Sequence, residues 1–254
     1  MLRSRIIPCL LIQNEGLVKT VNFKDPKYIG DPINAVKIFN EKEVDELIVF
    51  DIDATKENRG PNFEMIKGLA NECRMPFCYG GGITTVEQAN IIINLGAEKV
   101  ALSYSALNNI SLCQEIGNTI GNQSVVVVLD VKKKKLLGGY DIYTHNGTKR
   151  SNWKLTDFIS KLEEIGIGEL VISSIDNDGA MQGYDLSLLE IIREKCSMPI
   201  TVIGGAGNIQ HIEDLIKKFK IIGAAAGSLF VFKGKYKAVL INYPNREEKK
   251  IINK

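Results

Sequence analysis

The residues best suited to chemistry in this chain are glycines and serines, gathered in four short loops: YGGGIT (79–84), LSYS (102–105), IGGAGN (203–208) and AAGSLF (225–230). A glycine pair lets backbone N–H groups approach an anion closely, and a helix N-terminus behind the loop adds the favourable end of its dipole. Gly81, Gly82, Ser103 and Ser105 therefore read as one phosphate site, and Gly204, Gly205, Gly227 and Ser228 as a second. Two such sites would suit an elongated substrate with a phosphate at each end. Plain tight turns also use paired glycines, but four such loops at repeating positions weigh against that explanation.

Something regular must position these loops. Short β-branched runs recur along the chain: RIIPCLL (5–11), ELIVFDI (46–52), MPFCYG (75–80), KVAL (99–102), SVVVVLD (124–130), ELVISSI (169–175), MPITVI (198–203) and IIGAAA (221–226). They are nearly continuous apolar runs, as expected of parallel strands covered on both faces. Amphipathic stretches lie between them, among them INAVKIFNEK (33–42), FEMIKGLANEC (63–73), VEQANIIINLG (86–96), LTDFISKLEEIG (155–166), LSLLEIIREKC (186–196) and IEDLIKKF (212–219). The pattern predicts an α/β fold, a (β/α)8 TIM barrel, with an open doubly wound sheet as the alternative. In such a barrel the glycine loops fall at the C-terminal strand ends, where active sites form.

The chain also repeats itself. ELIVFDIDATKENRG (46–60) overlays ELVISSIDNDGAMQG (169–183) at an offset of 123 residues, pairing Asp53 with Asp176, Gly81-Gly82 with Gly204-Gly205, and Ser105 with Ser228. One barrel over residues 1–254 is expected, as half-barrels of about 1–122 and 123–243 with a fraying tail at 244–254.

Composition excludes other classes. A net charge of +2 with 24% charged residues argues against a nucleic-acid binder. Five scattered cysteines without a close pair, and two histidines remote from them, suggest neither a disulfide framework nor a metal site, so no metal or cofactor is expected. No apolar stretch reaches the roughly 18 residues of a membrane span, and a cytoplasmic location is expected. The run KKKK (132–135) reads as solvated loop able to steer an anion, His145 as a surface hydrogen-bonding residue, and Trp153 as a packing anchor at the start of the fifth helix.

RIIPCL, GLVKTVNF (16–23), DELIVFDI (45–52), YGGGI (79–83), GAEKV (96–100), VVVLD (126–130), YTHNG (143–147), GELVISSIDNDGAMQGYD (168–185) and GGAGN (204–208) together resemble the HisF family, in order and almost to the end of the chain. That family supplies the cyclase subunit of imidazole glycerol phosphate synthase, a lyase of histidine biosynthesis. The resemblance implies a glutaminase partner, HisH-like, at the N-terminal barrel face, forming a heterodimer whose ammonia passes through the barrel. It implies an ammonia gate of alternating charges, here Arg5, Glu46, Lys99 and Glu169. It further implies catalytic roles for Asp130, Lys19 in a mobile loop after strand 1, Asp51, Ser173 and Asp178, with Gly179 beside the phosphate loops.

The family's second catalytic aspartate is missing, because Leu11 stands at its strand 1 position. A local overlay of the two half-barrel starts agrees, since CLLI (9–12) laid against VLDV (128–131) pairs Leu11 with Asp130. Ser103-Tyr104 and Ile203 also replace polar family residues. A leucine cannot transfer a proton, which makes the standard cyclase reaction doubtful. Three readings remain open. One is a HisF paralogue that passes ammonia to another acceptor, such as a phosphorylated or sugar substrate whose acetamido group becomes acetamidino in lipopolysaccharide biosynthesis, with a third amidotransferase protein. The second is an authentic cyclase using Asp51 or Asp178 as substitute acid, and the third a non-catalytic ammonia conduit.

Overall fold

The computed structural model describes residues 3–136 and 138–252. Its strands in chain order are β1 (Arg5–Gln13), β2 (Gly16–Val21), β3 (Lys24–Gly30), β4 (Leu47–Asp51), β5 (Phe77–Gly80), β6 (Lys99–Leu102), β7 (Val125–Lys133), β8 (Tyr140–Thr144), β9 (Lys149–Lys154), β10 (Glu169–Ser174), β11 (Ile200–Ile203), β12 (Gly223–Ala226), β13 (Phe232–Lys233) and β14 (Ala238–Val239). The helices are α1 (Pro32–Glu41), α2 (Phe63–Glu72), α3 (Val86–Asn94), α4 (Tyr104–Asn108), α5 (Ser111–Ile120), α6 (Leu155–Ile165), α7 (Leu186–Arg193), α8 (Ile209–Phe219), α9 (Ser228–Val231) and α10 (Arg246–Ile252).

β1, β4, β5, β6, β7, β10, β11 and β12 pair in parallel in that order, and β12 pairs back onto β1. The sheet is thus closed, a (β/α)8 barrel as the strand spacing predicts. Alternation along each strand divides its apolar residues between two layers. Ile6, Leu10 and Ile12 face the helices, while Ile7 and Cys9 join Ile48, Cys78, Val126, Val128, Val171 and Ala225 inside the barrel. Side-chain caps fix where several helices begin, including Asn62 on Met65, the reciprocal Thr85–Gln88 box, and Asn208 on His211.

Three expectations are corrected. The segments after strands 1 and 5 are hairpins: β1–β2–β3 and β7–β8–β9 extend the barrel sheet antiparallel beyond its C-terminal end. Lys19 therefore lies in a paired strand, and Lys132 and Lys133 of the lysine run lie in β7. Trp153 closes β9 rather than opening a helix, although it does pack on Phe158 and donates from Nε1 to the Leu107 carbonyl. The tail is helical: Asn245 caps α10, Ile252 is buried, and Arg246 and Lys249 reach Glu43 and Asp45. Its last two residues lie outside the described residues. Among those described, no helix is long and apolar enough to cross a membrane.

Candidate active site

At the N-terminal end of the barrel interior, four charges close a ring. Arg5 bonds Glu46 through Nη1 and Glu169 through Nη2 at 2.7 Å, and Lys99 Nζ lies 2.6 Å from Glu46 and 2.8 Å from Glu169. Thr201 donates its hydroxyl to Glu169, and a side chain at Gly223 would collide with that threonine. Burial alone would raise the Glu169 carboxyl, but Arg5 and Lys99 hold it down at about 2. The two glutamates are almost fully enclosed, so each needs its cation partners.

The opposite end opens into a cavity of about 860 Å³. Every residue expected at the reaction mouth or in the phosphate loops lines it: Asp130, Asp178, Asp51, Lys19 and Ser173, together with the loop glycines and serines of both halves, Gly179 included. Leu11 and Ile203 line it as well. Strand register explains the convergence. Ser173 stands opposite Asp130 on one side and Ile203 on the other, so three neighbouring strands deliver these side chains at one level.

The Asp130 carboxylate accepts no hydrogen bond from any described residue, and burial, with a smaller contribution from the charge of Asp178, pushes it up to about 7. Such a group can both hold and release a proton near neutrality. Asp51 is different. It accepts both Nη atoms of Arg59, at 2.7 and 2.9 Å, and the backbone N–H groups of Asp53 and Ala54. Those four donors make it a pin for its loop and leave it poorly placed as a substitute acid.

Asp178 also holds structure. Its carboxylate accepts from Thr20 Oγ1 at 2.6 Å and from the Phe23 N–H at 3.0 Å, while its carbonyl accepts from the Asn22 N–H. Burial nevertheless raises its carboxyl, against the pull of those donors. The β2–β3 hairpin is thereby latched over the mouth. From it Lys19 reaches inward, donates to the Cys9 carbonyl at 2.5 Å and fills the notch left by Gly227; burial lowers the basicity of its amine.

The sequence reading missed the latch residues Thr20, Asn22 and Phe23, the Arg59 partner of Asp51, and an edge-to-face contact between Tyr104 and His145 at 4.7 Å. Asn22 and Phe23 both have positive φ, the mark of a tight hairpin turn, yet Asn-Phe lacks the glycine that advertises one.

In the second phosphate-type loop, Gly205 has φ +114° and any β-carbon there would run into the Gly183 carbonyl, which lies beside its own hydrogen-bond partner. Gly205→Ala is expected to cost about 2–4 kcal/mol from strain and collision combined. Urea denaturation would measure it, and a change under about 1 kcal/mol would show that the loop rearranges freely.

Comparison with known proteins matches residues 5–237 to the family described as histidine biosynthesis protein. A Leptospira borgpetersenii protein, provisionally named imidazole glycerol phosphate synthase subunit HisF, is 52% identical over 252 residues, covering 99% of each chain. A Vibrio vulnificus protein with the provisional name subunit hisF3 is 53% identical over 98% of this chain and 96% of its own. The Streptococcus sanguinis imidazole glycerol phosphate synthase subunit HisF is 40% identical, with 91% of each chain covered. With its closed barrel, its charged ring and its glycine loops, the chain belongs to the HisF family of histidine biosynthesis proteins.

Proposed function

We propose that this protein is the ammonia-accepting synthase subunit of a two-part glutamine amidotransferase whose acceptor has diverged from that of the histidine enzyme. A HisH-like glutaminase would dock at the N-terminal face, beneath Arg5, Glu46, Lys99 and Glu169, and its ammonia would cross the barrel interior to Asp130. The observation that carries divergence is Leu11. It lines the same cavity as Asp130, where a two-carboxylate mechanism needs its second acid. One carboxyl poised near neutrality can still relay a proton as nitrogen adds to a carbonyl-type carbon. Conversion of a sugar acetamido group to acetamidino fits that chemistry. After the C–N bond forms, the C–O bond breaks and the oxygen leaves as water, so that acetamide and ammonia give acetamidine and water; this reading assigns that step to a third amidotransferase protein in the cytoplasm.

Among the relatives near half identity, two carry the numbered names hisF3 and hisF2 and two Leptospira proteins the name HisF, all of them provisionally, whereas the Streptococcus sanguinis protein at 40% is named HisF without that qualifier; this pattern supports a separate branch. Authentic cyclisation remains the second reading, favoured by one observation: the Asp178 carboxyl is raised by burial and its charge acts on Asp130.

Turnover of the bisphosphorylated ribulosyl aminoimidazole carboxamide with saturating ammonium salt, and no glutaminase, separates them. The expected rate lies at least about 10²–10⁴-fold below that of an ordinary HisF, the loss of one positioned proton transfer. Leu11→Asp with Ser103→Asn is expected to raise it. An ordinary rate in the unaltered protein would make it a histidine enzyme.

A further inference from the structure

Among the described residues, one enclosed side-chain polar atom has no hydrogen-bond partner, the hydroxyl of Tyr79. A buried hydroxyl without a partner costs free energy, and its presence asks for a physical reason. Tyr79 stands in β5 between Cys78, which faces the barrel interior, and Gly80. Alternation turns it outward, into the layer between sheet and helices that also holds Ile12 of β1 and Ile66 of α2. There a second cavity, of about 420 Å³, opens between the β1–β2 turn, the loop after β4 and the start of α2. That is far more room than one bridging water needs, and it lies within the roughly 300–1,000 Å³ of small-molecule pockets.

Burial, and then the charge of Asp51, raise the Tyr79 phenol, against the pull of the Asn62 N–H and of Arg59. Asp51, Asn62 and Arg59 all line this cavity, so the hydroxyl end of Tyr79, itself only 1% exposed, is the end that faces it. The phenol stays protonated near neutral pH and has a proton to donate and no acceptor. Toward solvent the cavity is acidic. Arg59 is engaged by Asp51 through both Nη atoms and by Glu57 through Nε at 2.8 Å. Glu15, in the β1–β2 turn, accepts from the Asn62 side-chain amide at 3.2 Å and has no ion-pair partner among the described residues. Three carboxylates thus line the cavity with one guanidinium, a surplus of negative charge, while Ile12, Pro61 and Met65 supply apolar wall.

We propose that this outer cavity is a binding site for an aliphatic amino alcohol. The ligand oxygen accepts from the Tyr79 hydroxyl, the ammonium group lies by Glu15 and Glu57, and the short chain between them packs on Ile12, Pro61 and Met65. Each end meets a group that the fold leaves unsatisfied, one a proton without an acceptor and the other a carboxylate without a cation. The cavity lies outside the barrel and shares only Asp51, Arg59 and Gly60 with the reaction mouth, as a common wall. The inference goes beyond the proposed function and does not depend on which acceptor the mouth serves.

An NMR titration of the isotope-labelled whole protein with 4-amino-1-butanol as probe tests it, read at the backbone amides of Gly60 and Asn62, with n-butylamine and 1-butanol as comparison ligands. The probe is expected to bind with a Kd of about 1 mM. It is expected to bind about fivefold more tightly than n-butylamine, which lacks the oxygen, and at least about tenfold more tightly than 1-butanol, which lacks the charge. Tyr79→Phe is expected to erase the advantage of the probe over n-butylamine and to leave the melting temperature of the free protein no lower, because the group removed has no partner in the fold. Glu15→Gln is expected to weaken both amines about threefold and to leave 1-butanol unchanged. Absence of shifts at both amides up to about 10 mM probe overturns the proposal. So does a probe affinity indifferent to Tyr79→Phe, or a melting temperature lowered by that change, which would show the hydroxyl to be partnered within the fold. Equal affinity of probe and n-butylamine in the unaltered protein would reduce the cavity to an acidic rim that attracts any amine, and equal affinity of probe and 1-butanol would remove the role of its charge; either result overturns the proposal as well.

Discussion

Lys99→Ala is expected to lower stability by about 2–4 kcal/mol at pH 8 and by much less near pH 5. Among the described residues, Lys99 is the only partner besides Arg5 that both glutamates of the ring share. Without it, two enclosed carboxylates face each other across one guanidinium, and the cost of an incompletely paired buried charge replaces the gain from the pair. The Lys99 side chain keeps 18% of its surface exposed, which places the figure below that of a fully dry ion pair. The pH dependence follows from the depressed Glu169 carboxyl. A carboxyl whose folded value lies below its unfolded value stabilises the protein above the unfolded value of about 4.5 and loses that contribution as pH falls toward 2. In the variant one glutamate accepts a proton far more readily, so the difference from the unaltered protein grows as pH rises through 5 and 6. Lys99→Met, which keeps the aliphatic stem, separates charge from volume. Urea melts of all three proteins between pH 5 and 8 provide the measurement. A penalty below about 1 kcal/mol, or one that is flat with pH, would mean that the ring behaves like a solvated surface pair. Under the proposed function the same variant, assembled with a glutaminase, is expected to keep hydrolysing glutamine while product formation falls; unchanged coupling would remove the ammonia path from this account.

The barrel was legible because its signal is carried by whole elements. Eight apolar runs with amphipathic stretches between them leave few ways to bury both faces of the sheet, and the boundaries follow residues with local meaning, such as Asn62, Thr85 and Asn208 at helix starts. The glycine loops were legible for a similar reason, since at Gly205 the backbone approaches so closely that only a missing β-carbon permits it. The hairpins were not. β3 (KDPKYIG) is almost wholly exposed and β9 (KRSNWK) largely so, and neither alternates apolar with polar residues; they are held by pairing to a neighbour, which composition does not reveal. The roles of the aspartates divided along the same line. Asp51, Asp130 and Asp178 look alike in sequence, and only the donors around them distinguish a loop pin, an unpartnered carboxyl and a latch. Arg59 sits eight residues after Asp51 in an irregular loop, where no period connects the two.

That unpartnered carboxyl leads to the second large effect: Asp130→Asn is expected to abolish ammonia-dependent product formation and to stabilise the protein at alkaline pH. A carboxyl raised to about 7 in the folded state binds its proton more tightly there than in the unfolded chain. Between the unfolded value of 3.8 and about 7, stability therefore falls as pH rises, and above 7 the full penalty of an ionised, unpaired Asp130 is present. A shift of this size corresponds to about 4 kcal/mol in a dry site. The open cavity admits water to one side of the carboxylate, and screening brings the expected gain for the neutral amide to about 1–2 kcal/mol at pH 8, vanishing near pH 4. Activity moves the other way, by at least about 10²-fold, because an amide cannot relay the proton. In the unaltered protein the rate, corrected for the fraction of free ammonia, is expected to change slope near pH 7, and that break is absent from the variant. Melting curves and rates measured across one pH series read both effects together. A variant that is less stable than the parent at pH 8 would show that Asp130 is held by favourable contacts, and a rate profile without a break near 7 would remove it as the proton-transfer group. Under the proposed function the opposition of the two effects is what a site kept for chemistry produces: the barrel would tolerate an unsatisfied acid at its mouth because the reaction needs it.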